Sequence, residues 1–176
     1  ISLASTYGLE ANHSVIVDTD TDYYTQNNIQ FLLPQKSSHE ITAPLIKDNL
    51  RVVLGYAGGL VISETKPANV VSADSLLSTS ADSYSKASHI VNDIAYDESA
   101  GDTKGPFSLG AAVATEGGKV VWFSSSYVCN YKYYGNFDLY LNSLGWKTEK
   151  PSSLTVRTIS LDTSPLSITE TASAFW

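Results

Sequence analysis

The stretch from Pro106 to Phe123 constrains the fold more than any other part of the chain. Phe107 to Thr115 is an apolar run rich in small residues. Glu116-Gly117-Gly118-Lys119 is a tight turn, and Val120-Val121-Trp122-Phe123 is a second apolar run. Two extended apolar segments joined by a short glycine-bearing turn form a β-hairpin. The chain must therefore build a sheet that carries antiparallel strands at one side.

The other segments are read around that hairpin. Leu3 to Tyr7 reads as the end of a helix closed by Gly8, and Ser14-Val15-Ile16-Val17 as a short buried strand leading to Asp18. Asp18 to Ser38 is a long polar and aromatic excursion with one apolar island, Ile29 to Leu33, closed by Pro34. His39 to Leu45 leads into a helical turn at Ile46 to Asn49, and Arg51-Val52-Val53-Leu54 reads as a strand. Gly55, Gly58 and Gly59 then bend the apolar run that continues to Ile62. Ala81 to Asn92 fits a helix, Asp93 to Lys104 a loop, and Leu154 to Ile159 a strand. Asn136 to Trp146 is the strongest helix: Phe137, Leu141 and Leu144 share one face, Asn136 is the predicted N-cap, and Asp138 sits in the first turn. Strands alternating with helices predict an α/β architecture in three layers, a mixed and mostly parallel sheet with helices on both faces. Residues 1–176 are expected to form a single α/β domain, a fragment excised from a longer, membrane-anchored protein.

Composition narrows the function classes. The net charge of −7 with 11 scattered Lys and Arg residues excludes a nucleic-acid partner, because phosphate binding needs clustered cations. No run approaches the ~18 apolar residues of a membrane span, so direct membrane insertion by these residues is not expected. The abundance of Ser, Thr, Asn and Tyr leans towards an extracytoplasmic location. Cys129 is the single cysteine and cannot close an intramolecular disulfide.

No motif supplies an active site. Asp18-Thr19-Asp20-Thr21-Asp22 begins like a calcium loop, but Tyr23 stands where that pattern needs Gly, and Ile29 where it needs the bidentate Glu. A solvated acidic loop is the alternative. Cys129 follows a strand and a serine run, yet Tyr127 and Tyr131 are too bulky for a nucleophile elbow; Ser124, Ser125 and Ser126 lack the flanking glycines as well. His13, His39 and His89 have no metal-ligand spacing. The expectation is therefore a protein that is not an enzyme, with no cofactor and no metal. The residues expected to touch a ligand or partner are Asp18, Tyr23 and Tyr24 in one loop and Tyr127, Tyr131 and Tyr134 in another. Aromatic side chains interleaved with Asn and Ser give amphipathic contact area at low entropic cost.

Several blocks resemble the extracytoplasmic domain of the gliding-motility-type auxiliary components of ABC transport systems. They are Tyr7-Gly8-Leu9-Glu10 before a strand ending Val17-Asp18; His39-Glu40-Ile41-Thr42, with Glu40 where that family has Pro; and Leu76-Leu77-Ser78-Thr79-Ser80 with Tyr84 after it. The fourth, Gly105-Pro106-Phe107, is followed by two strands and then by Gly135-Asn136-Phe137-Asp138 through Asn142 to Trp146. The Phe123 to Ser126 loop departs from the family pattern. The resemblance implies a flavodoxin-like or class I glutamine amidotransferase-like fold without the catalytic residues. It also implies a non-catalytic scaffold role and, as partners, an ABC permease or other membrane-complex subunits. A carbohydrate- or peptide-binding module, or a cryptic cysteine hydrolase, are the alternative expectations.

Overall fold

A computed structural model describes residues 3–12, 14–25, 28–87, 95–130 and 132–148. In chain order the strands are β1 (Leu9–Asn12), β2 (Val15–Asp18), β3 (Tyr24–Thr25), β4 (Asn28–Leu32), β5 (Gln35–Lys36), β6 (Leu54–Gly55), β7 (Gly59–Ile62), β8 (Val70–Ser78), β9 (Ser83–Lys86), β10 (Thr103–Lys104), β11 (Ser108–Thr115) and β12 (Gly118–Phe123). The α-helices are α1 (Ala43–Lys47) and α2 (Tyr134–Thr148), with single 3₁₀ turns at Ala4–Tyr7, Glu98–Ala100 and Ser126–Cys129.

The hairpin is present as expected: β11 and β12 pair antiparallel from Gly110↔Phe123 to Thr115↔Gly118. Its first strand is the centre of a six-stranded sheet. On one edge β11 pairs with the full length of β8, and on the other with β12 and, at Ser108, with β7. The rows β1–β7 and β8–β5 complete this sheet, while β10–β9–β2 and β3–β4–β6 form two smaller ones.

Small side chains let β11 lie buried between two cores. Ala111 and Val113 face Leu9, Leu60 and Val70, whereas Leu109 and Ala112 face Ile16, Leu54, Leu76 and Leu139. Leu109 and Ala112 are three residues apart and still share a face, which strict alternation would forbid. The register shifts on both sides of Gly110 supply the extra residue of a bulge. Gly110 also makes room for the Phe123 ring, which a Cβ there would meet at 2.9 Å.

The expected three-layer, mostly parallel α/β fold of flavodoxin or amidotransferase type is not what the chain adopts. Every strand pairing among the described residues is antiparallel. The cause lies in segments whose polarity hid their strands. Ser83-Tyr84-Ser85-Lys86, read as helix, is a fully buried central strand between β2 and β10. It pairs antiparallel with the very strand expected to open a parallel sheet. Asp18 to Ser38 holds β3, β4 and β5 instead of an irregular excursion. The supposed loop before Lys104 carries buried Asp102. The expected helical turn at 46–49 lies earlier, at α1, and the strand over 51–54 shrinks to β6. Leu154 to Ile159 lies outside the described residues.

Helix α2 is found where the pattern placed it, but with a different face inward. Leu139, Asn142 and Ser143 are buried, while Phe137, Tyr140 and Leu144 remain 43%, 40% and 42% exposed. Polar anchoring decides this orientation over the apolar stripe. Asn142 donates to Ile41 O at 3.0 Å. Asn136, expected as an N-cap, is instead wholly buried within the first turn of the helix: its Oδ1 accepts from Val53 N–H (2.8 Å), and its Nδ2 donates to Val53 O (2.8 Å) and Tyr127 O (2.6 Å). The two asparagines thus bond backbone groups of Ile41, Val53 and Tyr127 that an apolar face could not reach, the Tyr127 carbonyl also accepting from Asn130 N–H.

Candidate functional site

The corner after β6 is built to present aromatic rings. Strand β6 ends at Gly55, whose carbonyl accepts a 2.6 Å hydrogen bond from buried Ser125 Oγ. The same hydroxyl accepts from Tyr127 N–H and starts the 3₁₀ turn Ser126–Cys129. That turn sets the Tyr127 ring flat against Gly55, where a Cβ would come within 3.0 Å of it. Tyr56 follows with φ +50°, anchored by its N–H on Gln30 O at 3.1 Å. A bulky residue in left-handed backbone is strained by roughly 1–2 kcal/mol.

The strain holds Tyr56 in a ring cluster. Phe31 from β4 lies edge-to-face with both Tyr56 and Tyr127, at 5.5 Å between centroids in each case, and Tyr56 and Tyr127 are 6.2 Å apart. Tyr56 stays 54% exposed. Rings so fixed offer an amphipathic contact surface that needs little ordering when something lands on it.

The residues expected to form the site are only partly brought together. Tyr127 belongs to the ring cluster. Tyr24 lies on β3 beside β4, pairing with Leu32, and Tyr23 holds the loop through its carbonyl, which accepts from Leu33 N–H. Asp18 is completely buried, its Oδ2 accepting from Ser80 N–H and its Oδ1 from Ser80 Oγ (2.6 Å) and Asp20 N–H. It ties the acidic loop to the β8–β9 connection, while the Asp20 carboxylate accepts locally from Asp22 N–H. Tyr131 and the side chain of Tyr134 lie outside the described residues, as do His13 and His89. Exposed Cys129 closes the 3₁₀ turn. His39 sits elsewhere, its Nδ1 accepting from Ile41 N–H and its ring edge-on to Trp146 at 5.3 Å. Ser124 and Ser125 both spend their hydroxyls on backbone carbonyls.

Two of the surface hollows are lined by described residues throughout. One, about 320 Å³, is walled by Tyr84 and Tyr96 with the Lys104 ammonium 5.3 Å from the Tyr96 ring. The other, about 370 Å³, is polar and lies between the β3 loop and the segment after α1. Lys36 and Arg51 both face it, with Thr21, Asp22, Thr25 and Asn49. Burial, and secondarily the Arg51 guanidinium, push the Lys36 ammonium pKa below its ordinary value. Among the described residues no three His, Cys, Asp or Glu side chains converge as metal ligands, and no helix is long and apolar enough to cross a membrane.

Phe31 and Tyr56 were not singled out by sequence reasoning. The available signal was a large aromatic set between Gly55 and Gly58, where glycines usually mark sharp turning and bulky residues are out of place. Comparison of the chain with protein-family models, with curated proteins and with solved structures gave no match.

Proposed function

We propose that this chain is a non-catalytic interaction domain, working outside the cytoplasm beside an ABC-type permease, and that a protein partner docks on the ring cluster of Phe31, Tyr56 and Tyr127. The exposed Tyr56 ring carries the reading. Folding tolerates a strained backbone to keep that ring outward and braced by two others, an arrangement common where aromatic anchors meet a partner. The transport setting rests on the sequence blocks alone, chiefly Gly135 to Trp146. The flavodoxin-like architecture that came with that likeness is not part of the proposal.

Tyr56→Gly is the discriminating variant, because glycine adopts positive φ without strain and the substitution removes the ring while leaving the corner's geometry. With a photo-crosslinking residue at exposed position 126, next to Tyr127, wild-type protein added to membranes of its own cell should capture a permease subunit, identified by mass spectrometry. Tyr56→Gly should abolish that capture with an unchanged circular dichroism spectrum. Equal capture by both proteins, or capture of no permease subunit by either, overturns the reading.

A further inference from the structure

The polar hollow between β3 and the segment after α1 is independent of the ring cluster's proposed role, and its chemistry points to a small ligand. We propose that it binds a small molecule through an oxyanion group, a carboxylate or a phosphate, held jointly by Lys36 and Arg51.

Three observations carry this. The first is charge placement. The chain has a net charge of −7 and only 11 Lys and Arg residues, yet two of them line one hollow. Among the described residues neither Lys36 nor Arg51 has a carboxylate within ion-pair distance, unlike Lys86, which pairs with Asp102 away from this hollow. Two like charges converging without an intervening anion repel each other, and the downward push of Arg51 on Lys36 is that repulsion. An anion between them would favour the charged form of both side chains.

The second is chemistry and size. At about 370 Å³ the hollow falls in the range of small-molecule sites. Thr21, Thr25 and Asn49 add hydroxyl and amide groups that complete the bonding of an oxyanion or of neighbouring ligand hydroxyls. Asp22 also lines the hollow. Its carboxylate opposes a second negative group, which favours a singly charged head over a polyanion.

The third is rigidity. Lys36 is fixed by β5, pairing opposite Leu77 of β8. Arg51 follows a sharp turn made by Asn49 at φ +50°. Its backbone lies against Gly135 of α2 so closely that a Cβ there would collide with the Arg51 carbonyl oxygen. Two residues on, Asn136 grips both backbone groups of Val53. The site is thus mounted on two elements held by the core, so little ordering opposes binding.

The test is calorimetric titration of the whole chain, at low ionic strength, with inorganic phosphate in one arm and acetate and glucuronate in another. Saturable binding in either arm is expected, and the stronger arm identifies the head group. Lys36→Ala and Arg51→Ala should each weaken it about ten-fold or more, the worth of a charge-assisted hydrogen bond. Asp22→Asn should tighten it, and Lys132→Ala, a charge-matched change at an exposed site, should leave it unaltered. Unfolding midpoints confirm that each variant is folded. The proposal is overturned if no anion binds saturably, or if Lys132→Ala weakens binding as much as Arg51→Ala does. Tyr56→Gly should bind the anion normally, so failure of this site and failure of the docking face are separable.

Discussion

Replacing Asp102 should destabilise the protein more than replacing its partner Lys86, and the difference can be worked from the contacts. Lys86 Nζ lies 2.6 Å from Asp102 Oδ2, with the two side chains 8% and 1% exposed. The ammonium also donates to Ala95 O at 2.7 Å. Asp102 holds two backbone donors besides: Ala87 N–H on Oδ1 (3.1 Å) and Asp97 N–H on Oδ2 (3.0 Å). Removing one partner of a buried pair costs about 3–5 kcal/mol. Lys86→Met leaves a carboxylate still bonded to two N–H groups and belongs near the lower figure. Asp102→Leu leaves the buried ammonium without its carboxylate, though still bonded to Ala95 O, and strands two amides; it belongs nearer the upper one. The double variant Lys86→Met/Asp102→Leu strands the amides but no charge, so it should be more stable than Asp102→Leu alone. Urea unfolding followed by fluorescence of the three tryptophans reads this directly; at a slope of about 2 kcal/mol/M, 3 kcal/mol moves the midpoint by about 1.5 M. The pH dependence has a definite sign. Burial raises the Asp102 pKa, but the hydrogen bonds from Lys86, Asp97 and Ala87 outweigh it and the net shift is downward. A depressed carboxylate contributes stability that is fully present above its unfolded value near 3.9 and is lost as pH falls through the folded value. The advantage of wild type over the double variant should therefore shrink only below about pH 4. Equal costs under about 1 kcal/mol for the two single variants would mean a solvated pair and would refute the reasoning.

Tyr56→Gly should unfold within about 1 kcal/mol of wild type, lost ring contacts offsetting relieved strain, whereas Tyr56→Ala keeps the strain and should be the less stable of the two by urea titration. Asn136→Ala strands the N–H and carbonyl of buried Val53, while the Tyr127 carbonyl keeps Asn130 N–H, and should cost about 2–4 kcal/mol in the same assay. Asp18→Ala removes the acceptor for Ser80 N–H and Oγ; a loss of about 2–4 kcal/mol is expected, with no change in calcium affinity by calorimetry, since the carboxylate is a bracket and not a ligand. Cys129, being exposed, should react with a thiol reagent in the native state without shifting the unfolding midpoint, and protection from that reagent would contradict its placement.

What the sequence made legible is the part encoded by apolar pattern. The β11–β12 hairpin and the span of α2 are written as uninterrupted apolar runs and a 3.6-residue period, and both are where they were expected. What it concealed is the part built from polar strands. Ser83-Tyr84-Ser85-Lys86 carries no alternation because both of its faces are buried against polar partners: Ser83 bonds Thr79 and Ser80, Ser85 bonds Thr103, and Lys86 pairs with Asp102. A periodicity argument sees only polarity there and assigns helix or loop. Once this strand is misread, the alternation of strand and helix that implied a parallel sheet follows from it. The aromatic corner was half legible for a related reason. Tyr127 stood in a visible tyrosine cluster, whereas Phe31 and Tyr56 reach it only through the pairing of β4 with β6, a contact across more than twenty residues that no local pattern encodes.

The first turn of α2 links the two proposed surfaces. Gly135 admits the backbone of Arg51, and Asn136 bonds Val53 on one side and the Tyr127 carbonyl on the other. The segment carrying the anion-facing Arg51 and the turn carrying the Tyr127 ring are therefore fastened by one side chain. A purely apolar helix could bury as much area, but it would bond none of these backbone groups and would fix neither loop. That is the physical reason for an asparagine at the most buried point of the helix start, and for an apolar stripe of Phe137, Tyr140 and Leu144 turned outward. Leaving that stripe outward lets the buried face of α2 hold both loops at set positions, a compromise expected where placement of surface residues matters more than the last increment of core.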